Sequence, residues 1–261
     1  MNFKILTPQQ SEQFVEEGYV VVREAFERSV ASELLPLAWQ ELAINPSDRT
    51  TWPSKVAVIA KDFQNQSSAR LYSSRLQGVL DDLLGQGRYP LGQGTGYMVV
   101  NAPDTSGLSW APPPPGRMWH IDGMHFHHHL HSREQGLIGL FLFTDVQSGG
   151  GATVVRSGSH RITAPILARS EPQGLAPDEL TTQVDAATAH FPVVEVTGSA
   201  GDVLLMHPHL LHASSPNCRE QVRVASNICI SLHEPMNFSR ADSEHYSLVE
   251  RAVREAISSV H

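Results

Sequence analysis

His120 and Asp122 stand two residues apart in Arg117-Met118-Trp119-His120-Ile121-Asp122-Gly123. On extended backbone that spacing puts an imidazole and a carboxylate on one face, where both can reach a single cation. Two ligands leave a metal site incomplete, so a third must come from elsewhere. The stretch 201–212 supplies three candidates, His207, His209 and His212. Alternation groups His207 with His209 and sets His212 apart, and spacing alone leaves the choice open. Two histidines and one carboxylate on a facial triangle, with the opposite positions open, are the ligand set of non-haem Fe(II) oxygen chemistry. The same set suits Zn(II) with one bound water.

Two arginines follow. A 2-oxoacid that chelates iron through its keto and carboxylate oxygens leaves its second carboxylate pointing away. A buried arginine can grip that group in a two-pronged hydrogen bond. Arg223 lies on the next expected strand, from which it either reaches back between the sheets or sits on the surface. Arg219 lies in the turn and reads as solvated.

These residues need a scaffold, and 261 residues suit one large domain. Asp plus Glu exceeds Lys plus Arg by 27 to 19, a net charge of −8 with no basic block, which argues against nucleic acid as a partner. Two cysteines, Cys218 and Cys229, exclude a disulfide scaffold and read as free thiols in a reducing, cytoplasmic setting. The first residues hold no apolar core of signal-peptide length, and no stretch nears the length of a membrane span, so no membrane association is expected.

In chain order, Thr7-Pro8 opens a helix over 8–18 that Gly18 ends. Residues 19–22 form a strand. The spacing predicts helices over 29–43, across Pro36, and over 68–84, with a loop at 45–55. Beyond Gly96 the texture turns to short β runs: 97–101, 117–122 carrying the first two ligands, 136–144, 152–155, 191–196, 203–206, 210–213 and 221–232. The four consecutive prolines within 104–116 make an irregular loop, 164–182 an insertion of weak helix content, and 240–260 a last helix. The expectation is a mainly β protein with flanking helices, a double-stranded β-helix (jelly roll, cupin-like). It forms a single domain over 1–261: mostly helical support at 1–90, a jelly-roll core at 95–235 and a C-terminal helix at 240–261.

Several stretches together resemble the phytanoyl-CoA dioxygenase (PhyH) family of Fe(II)/2-oxoglutarate oxygenases. They are Phe14-Val15-Glu16-Glu17-Gly18-Tyr19-Val20-Val21-Val22, His120-Ile121-Asp122, Ser157-Gly158-Ser159-His160-Arg161, and Gly201-Asp202-Val203-Leu204-Leu205 leading to His212, Ser214, Asn217 and Arg223. The resemblance implies that His120, Asp122 and His212 hold Fe(II) and that Arg223 grips the distal carboxylate of 2-oxoglutarate. By the same resemblance Ser214 lies beside that carboxylate and Met98 lines the cosubstrate pocket. The implied reaction is hydroxylation, or a related oxidation, of an unactivated C–H bond of a small molecule, with O2 consumed and 2-oxoglutarate converted to succinate and CO2. Ser157 stands where the family usually has proline. Halogenating relatives replace the carboxylate ligand, and Asp122 keeps it.

The remaining candidates are substrate contacts. His125 belongs to a run with His127, His128, His129 and His131 that reads as a polar loop over the barrel mouth, with one or two members lining the entrance. Trp119 reads as core or pocket wall, and Asn101 can reach the pocket if its strand turns that face inward. His160 reads as a structural cap. A CoA thioester would call for basic residues, and few lie near these loops, so a smaller metabolite is expected. The alternatives are a metal-binding jelly roll without oxygenase activity, as a sensor or binding module, and a Zn(II) hydrolase. Neither needs Arg223. Oligomeric state is open.

Overall fold

The computed structural model describes residues 5–104, 109–240 and 246–259. Parts of the expected proline loop and C-terminal helix, and the first four residues, lie outside the described residues. Helix α1 (Pro8–Glu17) opens with a reciprocal cap. Thr7 Oγ1 accepts from the Gln10 N–H, the Gln10 side chain accepts from the Thr7 N–H, and Gly18 closes the helix at φ 85°. Strand β1 (Tyr19–Val22) follows, then α2 (Arg28–Glu41), which continues through Pro36. Strand β2 (Ala57–Ile59), three residues long, is an addition to the expected set.

The single helix expected over 68–84 is two, α3 (Gln66–Ala69) and α4 (Ser74–Leu84). Asn65 and Ser73 each cap a new N-terminus, so the chain turns between them. The β region holds β3 (Tyr97–Asn101), β4 (Leu137–Leu142), β5 (Thr153–Arg156), β6 (Val193–Val196), β7 (Val203–Met206), β8 (His212–Ser214) and β9 (Arg223–Ile230). The expected strand over 117–122 is not one. A single bridge joins His120 to His212, and Met118 adopts φ 65°, which breaks extended backbone. The expected insertion is two full helices, α5 (His160–Ser170) and α6 (Pro177–Ala187), the second begun by Pro177 with Asp178 and Glu179 in its first turn. The last helix is α7 (Leu248–Ser258).

The strands make two antiparallel sheets, β1-β7-β4-β9-β3-β2 and β6-β5-β8, the paired layers of a jelly roll. Register assigns every residue to a face, because partners on adjacent strands share one. Met98, Phe141, Leu205 and Val224 point outward into a core shared with Phe14, Leu34, Leu76, Leu80 and Leu248 of the helices. Ile138, Leu140, Leu204 and Met206 point inward and meet Val155 and Val196 of the smaller sheet. Outside that smaller sheet, α5 and α6 bury Ile166, Leu167, Leu180 and Val184 against Val154, Leu211 and Ala213. The helices thus cover both outer faces, and the gap between the sheets is where alternating side chains of β8 and β9 meet.

Candidate metal and cosubstrate site

His212 and His120 are mutual backbone partners: the His120 N–H donates to His212 O at 2.9 Å and the His212 N–H to His120 O at 3.0 Å. Asp122 follows from the same segment. His120 Nε2 lies 3.5 Å from Asp122 Oδ1, His212 Nε2 lies 3.5 Å from Asp122 Oδ2, and the ring centroids are 4.3 Å apart. One donor atom from each residue lies within 4.8 Å of the others, a spacing that can hold a metal ion. Each Nδ1 sits against a backbone carbonyl, Met118 O at 2.9 Å and Leu210 O at 3.0 Å. Those contacts assign the proton to Nδ1 and leave each Nε2 lone pair for a cation.

Burial alone would push the Asp122 carboxyl up. The neighbouring imidazoles, led by His212, outweigh it and hold Asp122 well below the usual range, in the anionic form a metal needs. Burial likewise pulls His120 down, and its contact with Asp122 more than reverses that. Asn227 Nδ2 donates to Asp122 Oδ2 at 2.8 Å, and Gln135 Nε2 donates to Asp122 O at 2.9 Å.

Arg223 begins β9 on the same inward face as Asn227, four residues away, roughly 13 Å of strand at ~3.3 Å per residue. Between them on that face is the small Ala225. The Arg223 side chain is 3% exposed and crosses between the sheets, where Nη2 donates to Thr153 Oγ1 at 3.1 Å. The rest of its pocket is mainly apolar, with Leu140, Leu142, Val196 and Leu204 beside Thr197. Nε has no hydrogen-bond partner among the described residues. Desolvation lowers Arg223 to about 10, so it stays cationic at neutral pH. A buried guanidinium without a carboxylate is costly until an anion arrives. This orphaned donor fits the distal carboxylate of a 2-oxoacid, and the triad's donor set fits a ferrous ion.

The other expected residues divide. Ser214 lies opposite Thr153 in register, on the inward face beside Arg223, but the hydroxyl that touches Arg223 is that of Thr153. Met98 is a correction. It is fully buried on the outward face among helix side chains, and its neighbours Val99 and Asn101 face Arg223's side instead. Asn101 is inward but occupied, with Nδ2 donating to Gly151 O and Ser215 O. Trp119, expected as core or pocket wall, is core. It packs with α5 and α6, donates from Nε1 to Pro113 O, and lies under the Arg156 guanidinium at 4.4 Å. His125 lines a cavity of about 640 Å³ that opens beside Asp122 and Asn227.

His207 and His209 are fully buried with His160, in rings 4.9 and 5.0 Å apart, away from the triad. The geometry therefore selects His212 among the three. His160 Nε2 sits 3.0 Å from Val15 O and so ties α5 to α1. His129 and His131 flank Glu171. Sequence reading missed Asn227, Thr153 and Gln135. Alternation from Arg223 along β9 reaches Asn227 and could have found it.

The family model for phytanoyl-CoA dioxygenase (PhyH) matches residues 14–225. The chain belongs to the phytanoyl-CoA dioxygenase family. It is an iron- and 2-oxoglutarate-dependent oxygenase of that family. Solved structures share its fold at low identity. The epimerase SnoN in complex with Fe3+, alpha ketoglutarate and nogalamycin RO is 18% identical, covers 85% of this chain and 82% of its own, and gives a TM-score of 0.55. EctD from S. alaskensis, with 2-oxoglutarate and 5-hydroxyectoine, is 21% identical over 88% of this chain and 78% of its own, with a TM-score of 0.54. HygX from Streptomyces hygroscopicus, with nickel and 2-oxoglutarate, is 21% identical over 87% of each chain, with a TM-score of 0.52. No curated protein matches the chain. No described helix is long and apolar enough to cross a membrane.

Proposed function

We propose that this oxygenase inserts oxygen into an unactivated C–H bond of a small molecule seated in the cavity beside Asp122. His120 Nε2, Asp122 and His212 Nε2 are the residues that hold the ferrous ion. Arg223, with Thr153 and Ser214, receives the distal carboxylate of 2-oxoglutarate. When bound, the ion and cosubstrate supply oxidising power from O2: one oxygen atom enters the substrate, the other enters succinate, and CO2 leaves.

The protein's own part is positional. The Nδ1–carbonyl contacts fix both rings, and Asn227 fixes the carboxylate. The apolar walls around Arg223 exclude water, which strengthens its grip on an anion. The carrying observation is the buried guanidinium with no carboxylate partner among the described residues, on the same inward face as the group that steadies the triad. A zinc hydrolase or a binding module has no use for it. The net charge of −8 supports a small-molecule partner over nucleic acid, and the two free cysteines support a reducing, cytoplasmic setting.

Anaerobic titration with Fe(II) and 2-oxoglutarate tests the reading by visible absorption. A charge-transfer band that needs both, and is lost in Arg223→Ala, is expected. Tight Zn(II) binding with no such band would sink it.

A further inference from the structure

The cavity beside Asp122 is walled by two carboxylates, Asp62 and Asp122, and by no lysine or arginine among the described residues. Asp122 is committed to the cation. Ferrous iron, the Asp122 carboxylate, dianionic 2-oxoglutarate and the Arg223 guanidinium cancel to zero net charge. Asp62 is then the charge that the loaded cavity presents to a substrate.

Asp62 is exposed, and each of its oxygens has a hydrogen-bond donor. Oδ1 accepts from the Gly96 N–H at 2.9 Å, and Oδ2 accepts from Gln64 Nε2 at 2.8 Å. A Cβ at Gly94 would come within 1.9 Å of Oδ1, so bare glycine backbone leaves the room in which the carboxylate sits. Both partners are neutral, and Asp62 forms no ion pair among the described residues. Tyr72, Tyr97 and Phe126 line the same cavity. Tyr97 and Met124 are 49% and 53% exposed, large side chains left open at the cavity.

An anchored carboxylate in a cavity that also holds aromatic side chains is a combination that recognises an ammonium or guanidinium group. The volume suits a small molecule, since ligand pockets run to about 300–1,000 Å³. A CoA thioester would bring several phosphate charges against Asp62, with no lysine or arginine in the wall among the described residues to meet them. Resting on the oxygenase reading above, we propose that the substrate is a small amine or guanidine whose cationic nitrogen docks on Asp62. A carbon farther along the molecule then lies against Asp122 and Asn227.

The test uses three probes of one chain length and different charge: n-hexylammonium, 1-hexanol and hexanoate. Each is titrated calorimetrically into anaerobic protein loaded with Fe(II) and 2-oxoglutarate, for the native chain, Asp62→Asn and Asp62→Glu. The ammonium is expected to bind at least tenfold more tightly than the alcohol, with hexanoate weakest. Asp62→Asn should erase that order and Asp62→Glu should keep it. Equal binding of all three, or a preference for hexanoate, overturns the proposal. So does an ammonium preference that persists in Asp62→Asn. The visible band is read before any probe is added. Failure of the oxygenase reading therefore shows as a missing band, and failure of this proposal as a missing charge preference with the band present.

Discussion

Arg156 and Arg223 are both buried arginines, 1% and 3% exposed, one on each sheet. Arg156 is neutralised in place. It pairs with Asp185 at 2.5 Å, donates to Asp185 O and Thr188 Oγ1, and stacks on Trp119. Arg223 has one hydroxyl, apolar walls and no carboxylate among the described residues. The same side chain is thus used once to lock α6 over the smaller sheet and once to leave a charge waiting. What separates a structural arginine from a binding one here is the partner the fold withholds.

Alanine substitutions should pull the two apart. Arg156→Ala leaves Asp185 buried without its cation and should cost about 3–5 kcal/mol. That corresponds to roughly 6–20 °C of Tm for a domain of this size. The affinity of the surviving protein for 2-oxoglutarate should hold. Arg223→Ala should leave Tm unchanged or raise it, while the 2-oxoglutarate Kd rises by the equivalent of about 2–5 kcal/mol, on the order of 30-fold to several thousand-fold. Thermal melts beside anaerobic band titrations read both, and the reverse pattern would break the comparison.

A second pair of like residues sharpens it. His120 and His212 lie against a carboxylate, whereas His160 and His209 are buried without one, and burial lowers them to about 4 and about 3. Both lie below the unfolded value of about 6.5, so their contribution to stability is complete above that pH. As pH falls below it, the unfolded chain takes up protons that the folded chain refuses, and stability declines until the folded values are reached. The unfolding free energy from urea melts should therefore stay flat from pH 8 to 7 and drop between pH 6.5 and 4, by on the order of a few kcal/mol. An unfolding free energy that rises with acidification in that window would contradict this reading.

Two smaller effects probe the supports. Asn227→Ala should weaken Fe(II) binding by about 10–100-fold, measured by metal-buffered competition, with little change in Tm. Thr153→Val removes the hydroxyl that holds Arg223 and should change the 2-oxoglutarate Kd by the worth of one hydrogen bond, about 0.5–1.5 kcal/mol. An effect of Thr153→Val as large as that of Arg223→Ala would mean that the arginine does not bear the anion alone.

Much of this was legible in the chain. Residue type and spacing exposed His120, Asp122 and Arg223, and the resemblance added His212 to them. End residues named α1, apolar spacing α2, β-branched content β1 and a continuous apolar run β4. Met98 shows where local reading stops. Its strand was found, but a strand has two faces, and only pairing with β9 decides which one looks between the sheets. Choosing among His207, His209 and His212 likewise needed the bridge to His120, a contact across 92 positions. Strand β2 is three residues long and carries no period. Asp62 reaches the cavity from an irregular segment that local patterning cannot aim.

The double hydrogen bond between the backbones of His120 and His212 has a consequence for the life of the enzyme. Two ligands that are each other's backbone bridge partners are brought together by main-chain hydrogen bonds, before any ion arrives. The socket does not depend on its occupant. Protein stripped by a chelator should stay folded, losing in Tm only what the binding of the ion adds by mass action, and should take up fresh Fe(II) without refolding.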